Sequence, residues 1–185
     1  MTRTARPPLP EGMSLVLKAL DFAAQKHRDQ RRKDKEASPY INHPIELANV
    51  LWHEGGVNDP VVIAAALLHD TVEDTETSWQ ELRGEFGDEI ADIVLEVTDV
   101  KWLKKIVRKR LQVARARHSS ERARLVKLAD KICNLRDVAA CPPADWPLAR
   151  RMEYFDWAKA VVDKLRGTHA ELEQRFDQAF AQRPR

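Results

Sequence analysis

Apolar residues recur at helical spacing along most of the chain, and the predicted helices are separated by Gly, Pro and short polar stretches. Capping residues support several starts, among them Ser14 for the first helix and Asp59 with Pro60 for the third. Glycines at 55–56 and Gly87 mark two helix ends. The predicted helices cover about residues 14–27, 44–53, 60–74, 79–86, 88–99, 101–117, 120–137, 146–165 and 172–180. This pattern predicts an all-helical protein.

The most apolar stretch, residues 61–66, is typical of a buried helix, yet a His and three acids follow it closely. These four are His69, Asp70, Glu73 and Asp74. A buried charge is costly unless something pairs with it, and a metal ion is a common partner. On a continuous helix His69 would lie over Glu73 and Asp70 over Asp74, because positions four apart stack. The stretch therefore predicts part of a metal site whose other ligands come from elsewhere in the chain.

Composition narrows the class of protein. The 185 residues suit one domain, and 31 basic against 29 acidic residues leave a net charge of +2, which argues against a general nucleic-acid binder. Cys133 and Cys141 form no paired-cysteine motif, so a reducing compartment is expected. No apolar stretch approaches the ~18 residues of a membrane span, and the Pro-rich N-terminus lacks a signal-peptide core. We expect a cytoplasmic protein without a membrane partner, with a disordered segment at 1–12 and one domain at 13–181; no oligomeric state is predicted.

Two more candidate ligands lie far from residues 69–74 in the sequence. His43 precedes Pro44 at a helix start, where a lone histidine is more often a cap or a surface residue than a ligand. Along the later helix at 120–137, the spacing places four polar side chains on one face: Lys127, Asp130, Lys131 and Asn134. That face could contact a metal and an anion, or it could be an ion-paired surface in which Asp130 pairs with Lys127. Taken alone, the ion-paired surface is the better interpretation.

Two stretches are rich in cations, and each allows two interpretations. Residues 31–33 are Arg-Arg-Lys, and residues 101–117 contain eight Lys and Arg in all. Either stretch could be a solvated surface, which is the usual role of a run of charges. Either could also supply cations that bind a phosphate group.

The His and Asp candidates form a chemically consistent set when they are considered together. Two imidazoles and two carboxylates, from His43, His69, Asp70 and Asp130, suit a divalent ion such as Mn²⁺. Four protein ligands leave room for water and a substrate oxygen in an octahedral shell. The combination predicts a divalent-metal site with coordination positions left open.

Four segments carry a resemblance to a known family: residues 32–33 (RK), 39–44 (PYINHP), 66–75 (ALLHDTVEDT) and 125–136 (LVKLADKICNLR). With these motifs the sequence resembles the HD-domain metal-dependent phosphohydrolases. Within them it is similar to the alarmone hydrolases, the hydrolase half of (p)ppGpp synthetase/hydrolases and their small stand-alone relatives. The resemblance spans about residues 22–165 and is strongest to the metazoan-type small hydrolases, since the chain ends where a synthetase domain would begin.

The resemblance implies a single-domain, all-helical HD fold and a defined reaction. It implies one Mn²⁺ held by His43, His69, Asp70 and Asp130, and hydrolysis of the 3′-pyrophosphate of (p)ppGpp to GDP or GTP and pyrophosphate. It assigns Glu73 and Asp74 to the attacking water. It further implies that the substrate contacts are Arg32, Lys33, Asn134 and, from a less similar helix, Lys105.

One departure and two alternatives accompany this interpretation. The loop at 33–38 lacks the Gly that the family usually carries, so the sequence does not predict its contacts with the nucleobase. The sequence also does not predict whether Tyr154 contacts the ligand. Removal of the 2′-phosphate of NADPH is an alternative on the same site. A catalytically silent nucleotide-binding regulator is the alternative from another class, and the intact ligand set with Glu73 and Asp74 argues against it.

Overall fold

The computed structural model describes residues 11–185, and their regular structure is helical apart from one isolated bridge between Arg31 and Pro39. The helices are α1 Glu11–Lys26, α2 Asn42–Asn49, α3 Pro60–Leu68, α4 Thr71–Asp74, α5 Trp79–Phe86, α6 Asp88–Val97, α7 Lys105–Ala116, α8 Glu121–Ala140, α9 Leu148–Val162 and α10 Ala170–Phe180. Helix α2 continues into a π-helical turn, Val50–Glu54. The prediction of an all-helical fold is confirmed.

Helix α3 is the centre of the hydrophobic core. Every residue from Val62 to Leu68 is buried, so the helix has no solvent face, and it packs against α1, α2, α6 and α8. Its start is as predicted: Pro60 is the first residue, and the Asp59 carboxylate accepts a hydrogen bond from the Val61 amide at 2.9 Å. His69, which directly follows α3, therefore lies in the interior of the protein.

Helix α8 is the second central element, and it contacts α2, α3, α6, α9 and α10. Ser120 caps it, accepting from the Ala123 amide at 3.2 Å. The ion-paired surface that seemed the better interpretation of its polar face is wrong. Lys127 and Lys131 are 8% and 5% exposed, and Asp130 pairs with Lys131 instead of Lys127.

The predicted helix at 60–74 is broken at His69 and Asp70, between α3 and α4. Two carbonyls near the end of α3 bind side chains: His69 Nδ1 contacts the Ala66 oxygen at 2.8 Å, and the Thr71 hydroxyl donates to the Leu68 oxygen at 2.7 Å. Side chains that bond nearby carbonyls compete with the helical ladder. Asp70 takes φ −100° and ψ −1°, so the two rows of side chains expected on one continuous helix do not form.

Several helix ends differ by a few residues from the predicted ones. Helix α1 begins at Glu11, so Ser14 lies inside it, and α2 begins at Asn42 ahead of Pro44. Residues 1–10, most of the segment predicted to be disordered, lie outside the described residues. Within residues 11–185, no helix combines the length and apolar character needed to cross a membrane. The cytoplasmic location and the domain limits at 13–181 stay predictions.

A candidate metal centre between α2, α3 and α8

A cavity of about 190 Å³ lies where α2, the α3–α4 break and α8 meet. His43 enters it from the start of α2, His69 from the residue after α3, and Asp130 from the middle of α8. Because these three elements pack on one another through apolar faces, the polar side chains at their meeting point are held inside the protein.

Three of the four predicted ligands converge. One ligand atom each from His43, His69 and Asp130 lies within 4.8 Å of the others. His43 and His69 are 2% and 5% exposed, and their ring centroids are 5.3 Å apart. Asp130 Oδ1 lies 3.5 Å from His43 Nε2. Two buried imidazoles and a carboxylate at this separation form a donor set that suits a divalent cation.

The hydrogen bonding of His69 orients its second ring nitrogen. Nδ1 binds the Ala66 carbonyl at 2.8 Å, so Nε2 faces the cavity, where the nearest polar group is the Asp70 carboxylate. A backbone carbonyl that holds Nδ1–H and leaves Nε2 free is the usual arrangement for a metal-binding histidine. Burial lowers the pKa of His43 and so favours its neutral, ligand-competent form. These residues fit a divalent ion.

Asp70 stands beside this group and is not part of the convergent set. Its Oδ2 lies 2.8 Å from His69 Nε2 and accepts a hydrogen bond from the Tyr40 hydroxyl. Burial opposes a charge on His69, but the Asp70 carboxylate outweighs it and raises the pKa of His69 to about 9. The pKa of Asp70 is below its usual range because the charge of His69 outweighs burial. The carboxylate that favours a proton at His69 would equally favour a metal cation.

Two neighbours on α8 hold Asp130. Lys131 Nζ lies 2.7 Å from its Oδ2, and the Asn134 amide donates to its Oδ1. Burial would raise the pKa of Asp130, but Lys131 and the two histidines keep it well below the usual value. Asn134, predicted as a nucleotide contact, therefore orients a candidate ligand, although it also lines the cavity.

Glu73 and Asp74 diverge to different partners. Glu73 Oε2 accepts the Asp99 amide at 2.9 Å, while Asp74 pairs with Lys101 and accepts from Gln30 Nε2 at 3.3 Å. Burial is the main cause that raises the pKa of Glu73 to about 7, with nearby carboxylates adding to it. A carboxyl group that titrates near neutrality suits proton transfer.

A second cavity of about 320 Å³ adjoins the first and shares Tyr40, Asp74 and Asn134 with it. Arg32 and Lys33 line this cavity, as do the aromatic rings of Trp146 and Tyr154, whose centroids are 5.5 Å apart. We call it the aromatic cavity. It offers cations and flat apolar faces beside the candidate metal centre, and it gives Tyr154 a place in the site.

The other predicted substrate cations differ in position. Arg32 pairs with Asp137 and lies 5.7 Å from the Tyr40 ring, so its guanidinium is already engaged. Lys105 lines neither cavity; its Nζ lies 5.9 Å from the Trp146 ring centroid. In the loop at 33–38, Ala37 takes φ +49°, a left-handed conformation that glycine would adopt more easily.

Sequence reasoning missed several residues of the centre. Tyr40 lies within the segment 39–44 that resembles the family, but nothing in the sequence pattern indicated its hydrogen bond to Asp70. Asp99 follows α6 and Gln112 lies on the cationic helix α7, and neither helical periodicity nor charge spacing marked them. Lys127, which the sequence analysis did place on the polar face of α8, lines the metal cavity, and burial followed by the charge of Lys131 lowers its pKa to about 8.

Comparisons with known proteins agree with this geometry. A family model described as HD domain matches residues 19–154, which include every residue of the metal cavity. The guanosine-3′,5′-bis(diphosphate) 3′-pyrophosphohydrolase MESH1 of Homo sapiens is 56% identical over 168 residues, 91% of this chain and 94% of the human protein. MESH1 of Xenopus tropicalis is 54% identical over 167 residues, 90% of this chain and 93% of its own length. A solved structure, described as a metazoan orthologue of SpoT that hydrolyses ppGpp and plays a role in starvation responses, matches with TM-score 0.90 and 48% identity, covering 96% of this chain and 98% of that chain.

Proposed function

The chain belongs to the HD domain family, and from that premise we propose that it is a metal-dependent phosphohydrolase that removes the 3′-pyrophosphate of ppGpp or pppGpp. The products are GDP or GTP and pyrophosphate. The observation that carries the proposal is the convergence of His43, His69 and Asp130 beside a cavity with both cations and aromatic rings. Two relatives that align with this chain over more than nine-tenths of their own length are named for this activity.

We propose that the ion is a single Mn²⁺, bound by His43, His69 and Asp130 with Asp70 completing the set. The mixture of imidazole nitrogens and carboxylate oxygens supports this choice. When bound, such an ion supplies Lewis-acid chemistry, which acidifies water and polarises a phosphoryl oxygen. The protein's own part is to hold the ligands: Tyr40 fixes Asp70, Asn134 and Lys131 fix Asp130, and the Ala66 carbonyl fixes His69.

Glu73 is the residue that we propose takes a proton from the attacking water. In the reaction the water oxygen bonds to the phosphorus joined to O3′, the P–O3′ bond breaks, and O3′ leaves as the ribose hydroxyl after gaining a proton. Glu73 lines the metal cavity, and its pKa, raised by burial to about 7, matches a group that accepts and returns a proton near neutral pH. Asp74 borders both cavities and pairs with Lys101, so we assign it to positioning the water or the substrate.

The aromatic cavity is the proposed place of the nucleoside. Trp146 and Tyr154 provide surfaces on which a purine can stack, and Lys33 provides charge for the 5′-phosphates. Arg32 lines the same cavity and would contact the substrate once it parted from Asp137. Lys105, above Trp146, would contact the substrate only at the rim. Stacking and charge together favour a nucleotide with several phosphates over a small phosphate ester.

Parallel turnover assays with purified protein and Mn²⁺ test the proposal. One assay follows ppGpp by anion-exchange chromatography for GDP and pyrophosphate, and the other follows NADPH for inorganic phosphate. We expect ppGpp to be cleaved with the larger kcat/KM and the activity to vanish when a chelator removes the metal. A larger kcat/KM for NADPH would favour the 2′-phosphatase. Cleavage of neither substrate by metal-loaded protein would favour the silent regulator.

A further inference from the structure

A third cavity, of about 290 Å³, meets the metal cavity from another side. The two share Asp99, Gln112 and Lys127 as lining residues, whereas the third cavity shares no lining residue with the aromatic cavity. The candidate metal centre therefore lies between two separate openings. The third cavity is lined by α7, the end of α6 and the start of α8, and we call it the α7 cavity.

The lining of the α7 cavity suits a different group from the aromatic cavity. It contains Arg108, Arg115, His118 and Lys127, and none of its lining residues is Phe, Tyr or Trp. A nucleobase needs a stacking surface, which this lining lacks, whereas a phosphate group needs cations.

Acidic residues also line the α7 cavity, but they are engaged elsewhere. Glu96 accepts the Ser120 amide at 2.6 Å. Asp99 accepts from Gln112 at 2.8 Å and lies 3.6 Å from Arg108. Arg108 is thus paired with Asp99 and with Glu73, whereas among residues 11–185 neither Arg115 nor Lys127 forms an ion pair.

Lys127 lies at the junction of the two cavities. Lys127 is 8% exposed, and among residues 11–185 no hydrogen bond or ion pair involves its Nζ. Lys131, one turn along the same helix, is bonded to Asp130 at 2.7 Å. The Nε of Arg108, across the α7 cavity, is also buried without a partner. A largely buried lysine whose ammonium group has no protein partner at the junction of two cavities is suited to contact an anion there.

We propose that Lys127 binds the outer phosphate of the 3′-pyrophosphate and that the α7 cavity receives the pyrophosphate when the P–O3′ bond breaks. The inference rests on the proposed function, because it divides that substrate between the two openings. The nucleoside occupies the aromatic cavity, the phosphorus that is attacked lies at the metal centre, and the pyrophosphate extends toward Lys127. Lys127 thus becomes a residue that selects a 3′-pyrophosphate over a 3′-monophosphate.

Lys127→Met tests this role, because methionine keeps much of the buried apolar stem and removes the charge. We expect kcat/KM for ppGpp to fall by about 10- to 100-fold, the size of one charge-assisted hydrogen bond. For guanosine 5′-diphosphate 3′-monophosphate, which lacks the outer phosphate, it should change by less than about 3-fold on the same grounds. Lys127→Arg should restore part of the preference. Lys164→Met, which removes an exposed lysine outside all three cavities described here, is the matched control.

Equal losses on both substrates would show that Lys127 only supports the structure, and unchanged kinetics on both would show that it does not contact the substrate. Either outcome overturns the inference. Thermal unfolding and Mn²⁺ content identify a variant that has lost its fold. In that case Arg115→Met, at an exposed position of the same cavity, replaces it, and an unchanged inhibition constant for pyrophosphate would overturn the inference.

Direct binding separates this inference from the proposed function. Calorimetry with inorganic pyrophosphate and Mn²⁺-loaded protein requires no turnover. We expect the dissociation constant to rise about 10-fold or more in Lys127→Met and to stay unchanged in Lys164→Met, again the size of one charged contact. If the wild-type protein failed to cleave ppGpp but showed this pattern, the proposed function would fail and the pyrophosphate site would stand. Equal binding by the wild type and Lys127→Met would overturn the site even if ppGpp were cleaved.

Discussion

The candidate metal centre differs in burial from the cationic rim of the aromatic cavity, by which we mean Lys33 and Lys105. The centre takes His43, His69 and Asp130 from three packed helices. The two histidines are buried, Asp130 is partly buried, and a neighbour holds the orientation of each side chain. The rim takes Lys33 from a loop and Lys105 from the exposed start of α7. Rigid, buried groups suit chemistry, and exposed cations suit the capture of a charged substrate. Changes in the centre should therefore act on kcat and metal content, and changes in the rim on KM.

The largest expected effect is the loss of a ligand from the centre. His43→Ala should abolish stoichiometric metal binding and lower kcat by at least about 10³-fold, because the Lewis-acid contribution is worth several kcal/mol. Metal analysis by plasma mass spectrometry and steady-state kinetics measure the two effects. His53→Ala, at an exposed histidine outside the cavities, should leave both unchanged. Full activity in His43→Ala would remove the centre from the mechanism.

Glu73→Gln should separate proton transfer from metal binding. We expect kcat to fall by about 10²- to 10⁴-fold, the usual contribution of general acid–base catalysis, with Mn²⁺ content unchanged. Glu76→Gln, three residues on and exposed, is the control. Retained turnover in Glu73→Gln would contradict the role that we assign to Glu73.

The same substitution carries a prediction about stability in the metal-free protein. Because the pKa of Glu73 is raised from 4.5 to about 7, the folded chain keeps a proton that the unfolded chain loses between these pH values. The free energy of unfolding contributed by Glu73 therefore falls as the pH rises through this window. Urea unfolding should show Glu73→Gln to be more stable than the wild type at pH 8 by about 1–3 kcal/mol, with a much smaller difference at pH 5. A difference independent of pH would contradict the raised pKa.

A change in the rim should affect substrate capture alone. Lys33→Met should raise KM for ppGpp about 10-fold and leave kcat within about 2-fold, because one charged contact to the substrate is lost. Lys35→Met, at another exposed lysine of the loop, is the control. If Lys33→Met lowered kcat and left KM unchanged, the division between centre and rim would be wrong.

The smallest expected effect concerns the conformation of the rim loop. Ala37 at φ +49° is strained for a residue with a side chain, so Ala37→Gly should raise the free energy of unfolding by about 0.5–1 kcal/mol without changing kcat. Chemical denaturation measures the gain. A loss of stability would indicate that the loop does not hold this conformation.

The contrast between centre and rim also explains what could be predicted from the sequence. His69 was predicted because it directly follows a strongly apolar helix, where a polar side chain is costly without a partner. Asp130 became a candidate only in combination with the histidines and through the family resemblance, because its helix face alone favoured an ion-paired surface. The apolar pattern also located α3 and α8, which bring these residues together. The break at His69 and Asp70 was missed, because it depends on side-chain bonds to the Ala66 and Leu68 carbonyls that the helical period does not reveal.

The partners of charged residues were much harder to predict. Asp130 pairs with Lys131, adjacent in the chain, instead of Lys127 one turn earlier. Arg32 pairs with Asp137, more than a hundred residues away, and Glu73 turns to the Asp99 amide. Such pairs depend on how whole helices pack, so residue spacing along one helix carries no information about them. The same limit hid the position of Lys127, which forms no ion pair among residues 11–185.

Titration of metal-free protein with Mn²⁺ tests whether turnover depends on one bound ion per chain. Bound ion is followed by electron paramagnetic resonance, and ppGpp cleavage is measured on the same samples. Turnover should rise in proportion to bound Mn²⁺ and saturate at one ion per chain, and Asp130→Ala should show neither the bound ion nor the turnover. Cleavage by the metal-free protein, or full turnover in Asp130→Ala, would contradict the account.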